Sequence, residues 1–165
     1  MTEDRTNAVT DALAVPPRVP QVSAPAELIP RFSGRLKRSL GDYFGLTNFG
    51  VNIVQLAPDA ISSLRHAHSS QDEFVYIVHG EPTLVTDDGE TILKPGSSAG
   101  FKAGTGNAHQ LVNRTQSEVI YLEVGDRSVP DDVTYPDDDL AVKVDASGKV
   151  AFIHKDGTPY EYFDS

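Results

Sequence analysis

The sequence LRHAHSSQDE, residues 64–73, carries two histidines two positions apart and a glutamate five positions after the second. Residues i and i+2 of an extended strand point to the same face, so His66 and His68 are predicted to lie side by side on a strand. Glu73 opens the run EFVYIV, which is rich in the aromatic and β-branched residues that favour strands. The short polar stretch between the two runs is predicted to bend the chain, so that both histidines and the carboxylate face one cavity.

A third histidine, His109, follows in GNAHQLVN, residues 106–113, of which 108–113 are also predicted to be a strand. An HxH pair alone is common on exposed surfaces, but coincidence explains the full set poorly. Three imidazoles and one carboxylate can bind a divalent transition metal and leave a position open. The candidates are Fe, Mn, Zn, Ni, Co and Cu, and the residues do not choose among them. The chain has no cysteine, which excludes a thiolate site.

These segments resemble the two sequence motifs of the cupin superfamily. The first, G-x5-H-x-H-x3-4-E-x6-G, is matched over Ala60–Gly80, with alanine in place of the leading glycine. The second, G-x5-P-x-G-x2-H-x3-N, is matched in its second half by Gly106–Asn113. Gly104 stands where that motif has proline, and an alternative alignment starts at Gly96 with two extra residues before His109.

The resemblance covers about residues 45 to 125. It implies an all-β, single-domain antiparallel β-barrel of the jelly-roll type, also described as a double-stranded β-helix. It further implies a metal bound by His66, His68, Glu73 and His109. The segments around residues 135–140 and 154–160 look like the tail of small bacterial single-domain cupins of the conserved-barrel type, a group that does not define a substrate.

The rest of the sequence also favours an all-β domain. Strand-like runs alternate with turn residues about every eight to twelve positions, which is typical of a barrel or sandwich. No helix longer than about two turns is expected. The predicted strands are 51–57, 64–68, 73–78, 82–86, 91–94, 97–102, 108–113, 118–124, 140–144 and 150–154.

Three parts are predicted along the chain. Residues 1–30 form a proline-rich N-terminal arm or a disordered tail, because closely spaced prolines exclude a long helix. Residues 31–130 form the barrel. Residues 131–165 form an acidic segment and a C-terminal β-hairpin packed on the barrel. The basic cluster at 35–38 and the aspartates at 131–139 are both predicted to be solvated surface, with a second cation site as the alternative for the aspartates.

Composition limits the partners. The net charge of −10 argues against nucleic acid and against anionic membranes. No stretch approaches the roughly 20 apolar residues of a membrane span, and no signal-peptide pattern is present, so a cytoplasmic location is expected. A homodimer is also expected, because the arm carries apolar residues that an extended segment could place against the sheet edge of a neighbouring barrel. These are Val9, Leu13, Val15, Val19, Val22, Leu28 and Ile29.

The predicted function is that of a metal-dependent enzyme acting on a small polar metabolite in the barrel pocket. The resemblance implies dioxygenase, isomerase or epimerase, decarboxylase, lyase and hydrolase chemistry. The alternative is a non-catalytic, metal-bound module that binds or senses a small molecule. His79 and His154 are predicted to be outside the ligand set, and Arg65 to point outward. The candidates for contacts with a ligand in the pocket are Gln55, Tyr76, Asn113, Tyr121 and Glu123.

Overall fold

The computed structural model describes residues 8–19 and 23–160, which form an antiparallel all-β domain. Helical structure in this part of the chain is limited to the four-residue helix α1 (Leu40–Tyr43) and a 3₁₀ turn (Ile29–Phe32). The strands are β1 (Arg35–Ser39), β2 (Phe49–Leu56), β3 (Ala67–His68), β4 (Glu73–His79), β5 (Thr83–Thr86), β6 (Gly89–Ile92), β7 (Ser98–Phe101), β8 (Gln110–Val112), β9 (Val119–Asp126), β10 (Asp131–Tyr135), β11 (Leu140–Val144) and β12 (Val150–Ile153).

The strands form three sheets that surround one interior. The largest has the order β1-β2-β9-β4-β7, and the others have the orders β12-β11-β10-β3 and β6-β5-β8. All the pairings within them are antiparallel. The all-β jelly-roll fold expected from the sequence is therefore confirmed.

The core lies on the inner face of the five-stranded sheet. Val54, Leu56, Ile77 and Val119 have no exposed surface there. The outer face of β4 carries Phe74, Tyr76 and Val78, which are 41%, 42% and 49% exposed. This alternation is the period-two pattern of a strand with one buried face. Each fully buried aliphatic side chain contributes about 1.5–3 kcal/mol, so burial on this face stabilises the barrel.

The turn after β4 explains the glycine that ends the first motif. Gly80 has φ +79, a conformation that residues with a side chain rarely adopt. A Cβ placed there would lie 2.6 Å from the carbonyl oxygen of Glu118 and 2.8 Å from a methyl group of Val119. Glycine is therefore required both by the backbone conformation and by the close approach of the chain that enters β9.

Two strands were not predicted from the sequence. β1 lies within the basic cluster, and β10 lies within the acidic segment. Both were expected to be solvated surface, and that expectation is wrong for the inward-facing residues of each strand. β1 pairs with β2 along its whole length, and β10 pairs with both β3 and β11.

The described part of the N-terminal segment contacts its own barrel. The backbone N–H of Arg18 donates to the carbonyl oxygen of Lys37 at 2.8 Å, which places the segment along the free edge of β1. Val15 is only 4% exposed, whereas Val9 and Val19 are 83% and 91% exposed. Val22, which was among the apolar positions of the predicted arm, lies outside the described residues.

The C-terminal segment extends the barrel. β11 and β12 form the predicted hairpin, and β10 joins it to β3. His154 lies just after β12, where its Nδ1 is 2.9 Å from Oδ2 of Asp139 and its ring stacks on Tyr160. The hairpin is thus continuous with the strand that carries His68.

Candidate metal centre and its cavity

An isolated antiparallel β-bridge between His66 and His109 joins the two segments that carry the histidines. The N–H of His109 donates to the carbonyl oxygen of His66 at 2.8 Å, and the reverse bond is 3.1 Å. His68 follows on β3, and Glu73 is the first residue of β4. The short turn at residues 69–72 joins β3 to β4 and reverses the direction of the chain. Side chains from three different segments therefore point at one centre.

Three of the four predicted ligands, the histidines, converge on one carboxylate oxygen of the fourth, Glu73. Oε2 of Glu73 lies 2.9 Å from Nε2 of His109, 3.3 Å from Nε2 of His66 and 3.5 Å from Nε2 of His68. The ligand atoms of His66, His68 and Glu73 all lie within 4.8 Å of one another, and this group could hold a metal ion. His109 contacts that group through Glu73.

The site has the chemistry expected of a metal-ligand set. Oε2 of Glu73 is buried and makes no hydrogen bond of ordinary geometry to the described residues, although three imidazole nitrogens surround it. A buried carboxylate oxygen without such a bond is costly, and a cation among these donors would remove the cost. The residues present therefore fit a divalent metal.

Neighbouring groups orient two of the rings. Nδ1 of His66 lies 2.9 Å from the carbonyl oxygen of Leu64, and Nδ1 of His68 lies 2.6 Å from Oδ2 of Asp131. Both acceptors favour a proton on Nδ1, which leaves the Nε2 lone pair directed at the centre. The ring of His109 stacks on Phe101 at a centroid distance of 3.5 Å and an interplanar angle of 2°.

Charge interactions set the protonation of the metal-free group. Burial would raise the pKa of Glu73, but the close imidazoles of His109 and His66 outweigh it and hold that pKa well below its usual range. Burial lowers the pKa of His109 below its ordinary value. Burial also opposes the charged form of His66, yet its proximity to the Glu73 carboxylate leaves its pKa raised. Glu73 is thus a carboxylate at neutral pH, which is the form that binds a cation.

A cavity of about 150 Å³ opens beside this group. Its wall combines the histidine and glutamate side chains with two cations, a second carboxylate and a phenol. The lining residues are Arg35, Lys37, Ser62, Ser63, His66, Glu73, Val75, Phe101, His109, Leu111, Tyr121 and Glu123.

Two of the five predicted pocket residues line this cavity, namely Tyr121 and Glu123. The structure places the other three elsewhere. Gln55 accepts a hydrogen bond from Arg38 and donates to Glu118 at 3.1 Å on the other face of the sheet. The side chain of Tyr76 is on the exposed outer face of β4.

Asn113 is fully buried, but its hydrogen bonds hold the local backbone. Its Nδ2 donates to the carbonyl oxygens of Leu56 and Ser117, and its Oδ1 accepts from the backbone and hydroxyl of Thr115. These bonds use both ends of the amide. Asn113 therefore orders the loop before β9 instead of facing the cavity.

Arg35 and Lys37 are the lining residues that sequence reasoning missed. They are two positions apart on β1 and share its inner face. Nζ of Lys37 lies 2.6 Å from Oε1 of Glu123, and the side chains of this pair are only 15% and 19% exposed. The period-two spacing was visible in the sequence, but two cations at alternate positions are equally typical of a solvated strand.

Asp131 and Tyr135 on β10 were also missed. Asp131 is 1% exposed, and its Oδ1 accepts hydrogen bonds from the hydroxyl of Ser69 and the backbone N–H of Ser70. The ring of Tyr135 stacks at 5.8 Å from the ring of His66. The alternation Asp131, Val133, Tyr135 was the available signal, but the surrounding aspartates indicated a surface segment instead.

The structure agrees with the predictions that Arg65 points outward and that His79 lies outside the ligand set. Arg65 points away from the cavity and pairs with Asp87 and Asp137. His79 lies at the exposed end of β4.

Comparisons with known proteins identify the family. The cupin-domain family model matches residues 52–125. One similar protein of known crystal structure is described as a sugar phosphate isomerase from a cupin superfamily, from Silicibacter pomeroyi DSS-3. Its sequence is 46% identical over 90% of this chain and 94% of that chain, and the TM-score is 0.84. The chain therefore belongs to the cupin superfamily, which confirms the resemblance seen in its motifs.

Two further structures are similar. A putative sugar phosphate isomerase from Acidithiobacillus ferrooxidans is 25% identical over 86% of this chain and 97% of that chain, with a TM-score of 0.69. The polyketide cyclase RemF from Streptomyces resistomycificus is 18% identical over 74% of this chain and 82% of that chain, with a TM-score of 0.60, and shows a shared fold. No similar sequence is found among functionally curated proteins. None of the helices among the described residues has the length and apolar character needed to cross a membrane.

Proposed function

We propose that this protein is a metal-dependent isomerase that acts on a small sugar phosphate. The observation that carries the proposal is a cavity lined by three of the proposed ligands, His66, Glu73 and His109, together with Glu123 and Tyr121. Metal ligands alone would serve many reactions. Acid–base groups in the same cavity are what an isomerisation needs.

The metal would be held by the three histidines and Glu73. When bound, a divalent ion polarises a carbonyl or hydroxyl oxygen and makes the neighbouring C–H bond more acidic. The chain contributes the arrangement of its donors, with His66 and His68 fixed by their Nδ1 partners. Orientation of this kind is worth about 10–100-fold in metal affinity or activity.

Glu123 is the proposed proton-transfer group. Its carboxylate is buried, which would raise its pKa, but Lys37 and Arg35 outweigh burial and keep that pKa below its ordinary value. It is therefore ionised and can accept a proton from the carbon next to the substrate carbonyl. Return of that proton to the former carbonyl carbon, with transfer of the neighbouring hydroxyl proton to the former carbonyl oxygen, moves the carbonyl by one position, and no oxidant or reductant is consumed.

Tyr121 is the proposed hydrogen-bond donor to the substrate. It is fully buried, and burial raises the pKa of its phenol far above the ordinary value, so the hydroxyl stays protonated. That hydroxyl lies beside Arg35 and Ser62, but it makes no hydrogen bond of ordinary geometry to the described residues. A substrate hydroxyl or carbonyl in the cavity would give it a well-aligned partner, and a buried donor without one favours a ligand that supplies it.

The named relatives support isomerisation over the other chemistries of the superfamily. The structure that is 46% identical and the one that is 25% identical are both called sugar phosphate isomerases, the second of them putative. The size of the cavity supports a small substrate, since about 150 Å³ is the volume of a cavity that holds benzene.

Deuterium incorporation tests the proposal directly. The metal-loaded protein is incubated in D₂O with a panel of short-chain aldose and ketose phosphates and followed by NMR. Isomerisation through a proton-transfer group exchanges the transferred proton with solvent, and the product accumulates with deuterium at the carbon that was the carbonyl of the substrate. Glu123→Gln is expected to abolish both signals while the protein keeps its metal.

Glu118→Gln is the matched control, because Glu118 lies next to β9 but bonds Gln55 on the outer face. It is expected to retain exchange and turnover. Exchange that survives in Glu123→Gln at the wild-type rate would reject Glu123 as the proton-transfer group. Binding of sugar phosphates without exchange or turnover for any of them would instead support the non-catalytic alternative.

A further inference from the structure

We infer that Arg35 and Lys37 form an oxyanion-binding cradle that takes the phosphate group of the substrate, in the same cavity as the proposed metal ligands. This inference rests on the proposed function for the identity of the ligand and extends it to the residues that would select a phosphorylated one. The cradle is defined as the inner face of β1 around these two side chains.

The position of β1 separates the cradle from the strand that carries Glu73. In the five-stranded sheet, β2 and β9 lie between β1 and β4, where Glu73 begins. Neighbouring strands are about 4.8 Å apart, so the backbones of β1 and β4 are separated by about 14 Å along the sheet. Both strands nevertheless contribute side chains to the same cavity. A ligand that contacts a bound metal and the cradle together therefore needs a metal-binding group and a separate anionic group.

The charges of the lining favour a dianion. Arg35 and Lys37 carry two positive charges, and Glu73 and Glu123 carry two negative charges that cancel them. The histidines are neutral when they bind a metal, so a divalent ion leaves the cavity with two positive charges. A phosphate monoester carries about −1.5 to −2 at pH 7 and balances this excess, whereas one carboxylate would leave part of it.

The donors suit phosphate oxygens. An arginine guanidinium presents five N–H donors in a planar fork that matches phosphate, and a lysine ammonium can hold a carboxylate and a phosphate oxygen together. Arg35 lies close enough to Tyr121 and Glu123 to influence the pKa of both, so the cradle adjoins the proposed acid–base groups. A phosphate there would place the adjoining carbons beside Glu123.

The cradle is also held in place from outside. The N–H of Arg18 donates to the carbonyl oxygen of Lys37, which pins the outer edge of β1. On the inside, Lys37 is fixed by Glu123 at 2.6 Å. A binding group on an edge strand would otherwise be mobile, and preorganisation of this kind reduces the ordering cost of binding.

Calorimetric titration of the metal-loaded protein with inorganic phosphate tests the inference without any turnover. Arg35→Gln and Lys37→Gln are each expected to weaken phosphate binding by at least about tenfold, because each removes a charge-assisted hydrogen bond. Arg38→Gln is the matched control, since Arg38 is on the same strand but pairs with Gln55 on the outer face. It is expected to bind phosphate as the wild type does.

The variants Arg35→Lys and Lys37→Arg distinguish loss of the binding group from loss of folding. Each keeps the charge, so binding is expected to recover to within a few-fold of the wild type, and circular dichroism checks that all variants are folded. Equal phosphate affinity in the wild type, Arg35→Gln and Lys37→Gln would overturn the cradle and leave the metal as the anion site. Malonate that binds more than tenfold tighter than phosphate would overturn the assignment to phosphate.

The two proposals fail differently. Phosphate binding that depends on Arg35 and Lys37, in a protein that isomerises none of the sugars, would keep the cradle and reject the isomerase. Turnover of sugar phosphates with the same KM in the wild type and Arg35→Gln would keep the isomerase and reject the cradle.

Discussion

Oδ2 of Asp131 lies 2.6 Å from Nδ1 of His68, although the two residues are 63 positions apart in the chain. The carboxylate comes from β10, outside the residues matched by the cupin family model, and it is almost completely buried. It also accepts hydrogen bonds from Ser69 and Ser70, so it fixes the turn that follows His68. A carboxylate that holds the far side of a metal-binding imidazole raises the basicity of the ring and sets its tautomer.

Replacement of Asp131 by asparagine is therefore expected to weaken metal binding by about 10–100-fold without removing a ligand. Competition with a chromogenic chelator measures the affinity. Asp132→Asn is the control, since Asp132 is exposed and pairs with Lys143 on the surface. Equal affinities in wild type and Asp131→Asn would show that the His68 ring is oriented without this carboxylate.

The double variant His66→Ala, His68→Ala is expected to lose stoichiometric metal, because it removes two of the four converging donors. Elemental analysis of protein purified without a metal-affinity step measures the content. His154→Ala is the matched control, since His154 bonds Asp139 and does not line the cavity. Full metal content in the double variant would place the metal elsewhere in the chain.

The stability of the metal-free protein should depend on pH through the His66–Glu73 contact. The lowered pKa of Glu73 gives a contribution that is present above its unfolded value of 4.5 and lost as pH falls. The raised pKa of His66 gives one that is present below its unfolded value of 6.5 and lost as pH rises through the folded value. The melting temperatures of wild type and Glu73→Gln should therefore differ most between pH 4.5 and 6.5. A difference that is constant from acid to alkaline pH would contradict this coupling.

Gly80→Ala is expected to destabilise the fold by about 2 kcal/mol or more, because it adds strain at a positive φ and a clash with the backbone before β9. Urea denaturation measures the free energy of unfolding. Gly100→Ala is the control, since its added Cβ meets nothing within 4 Å. Similar effects at both positions would mean that the chain adjusts at residue 80.

A homodimer remains a prediction. The exposed Val9 and Val19 of the N-terminal segment, and the apolar outer row of β4, are surfaces that a second copy could cover. Light scattering should give about twice the chain mass of 17.8 kDa. A mass equal to one chain would reject the dimer, and an unchanged dimer after deletion of residues 1–30 would remove the arm from its explanation.

The barrel and the convergence of the histidines with Glu73 could be predicted because each depends on local spacing. Period-two alternation selects one face of a strand, and His66, His68 and Glu73 lie within eight positions of one another. The alternation in β2, β4 and β9 also has apolar residues on its buried face, so the direction of each side chain follows from the burial of apolar surface.

The rest could not be predicted because charged residues do not reveal which way they point. Arg35, Lys37 and Asp131 have the same alternation as residues on a solvated strand, and only the tertiary structure encloses them. Asn113 shows the reverse case. Its amide was expected to face the cavity, but burial requires all of its polar atoms to be bonded, and the carbonyl oxygens of Leu56 and Ser117 meet that need.

β1 and β10 lie on either side of the segment matched by the cupin family model, residues 52–125. That segment contains every proposed metal ligand, whereas the cations and the carboxylate that adjust the site come from the flanks. An excised barrel would thus keep the proposed donors but lose the residues proposed to adjust affinity and selectivity. Chimeras that exchange only the flanking strands between relatives are expected to transfer ligand preference while the barrel with the proposed metal ligands stays unchanged.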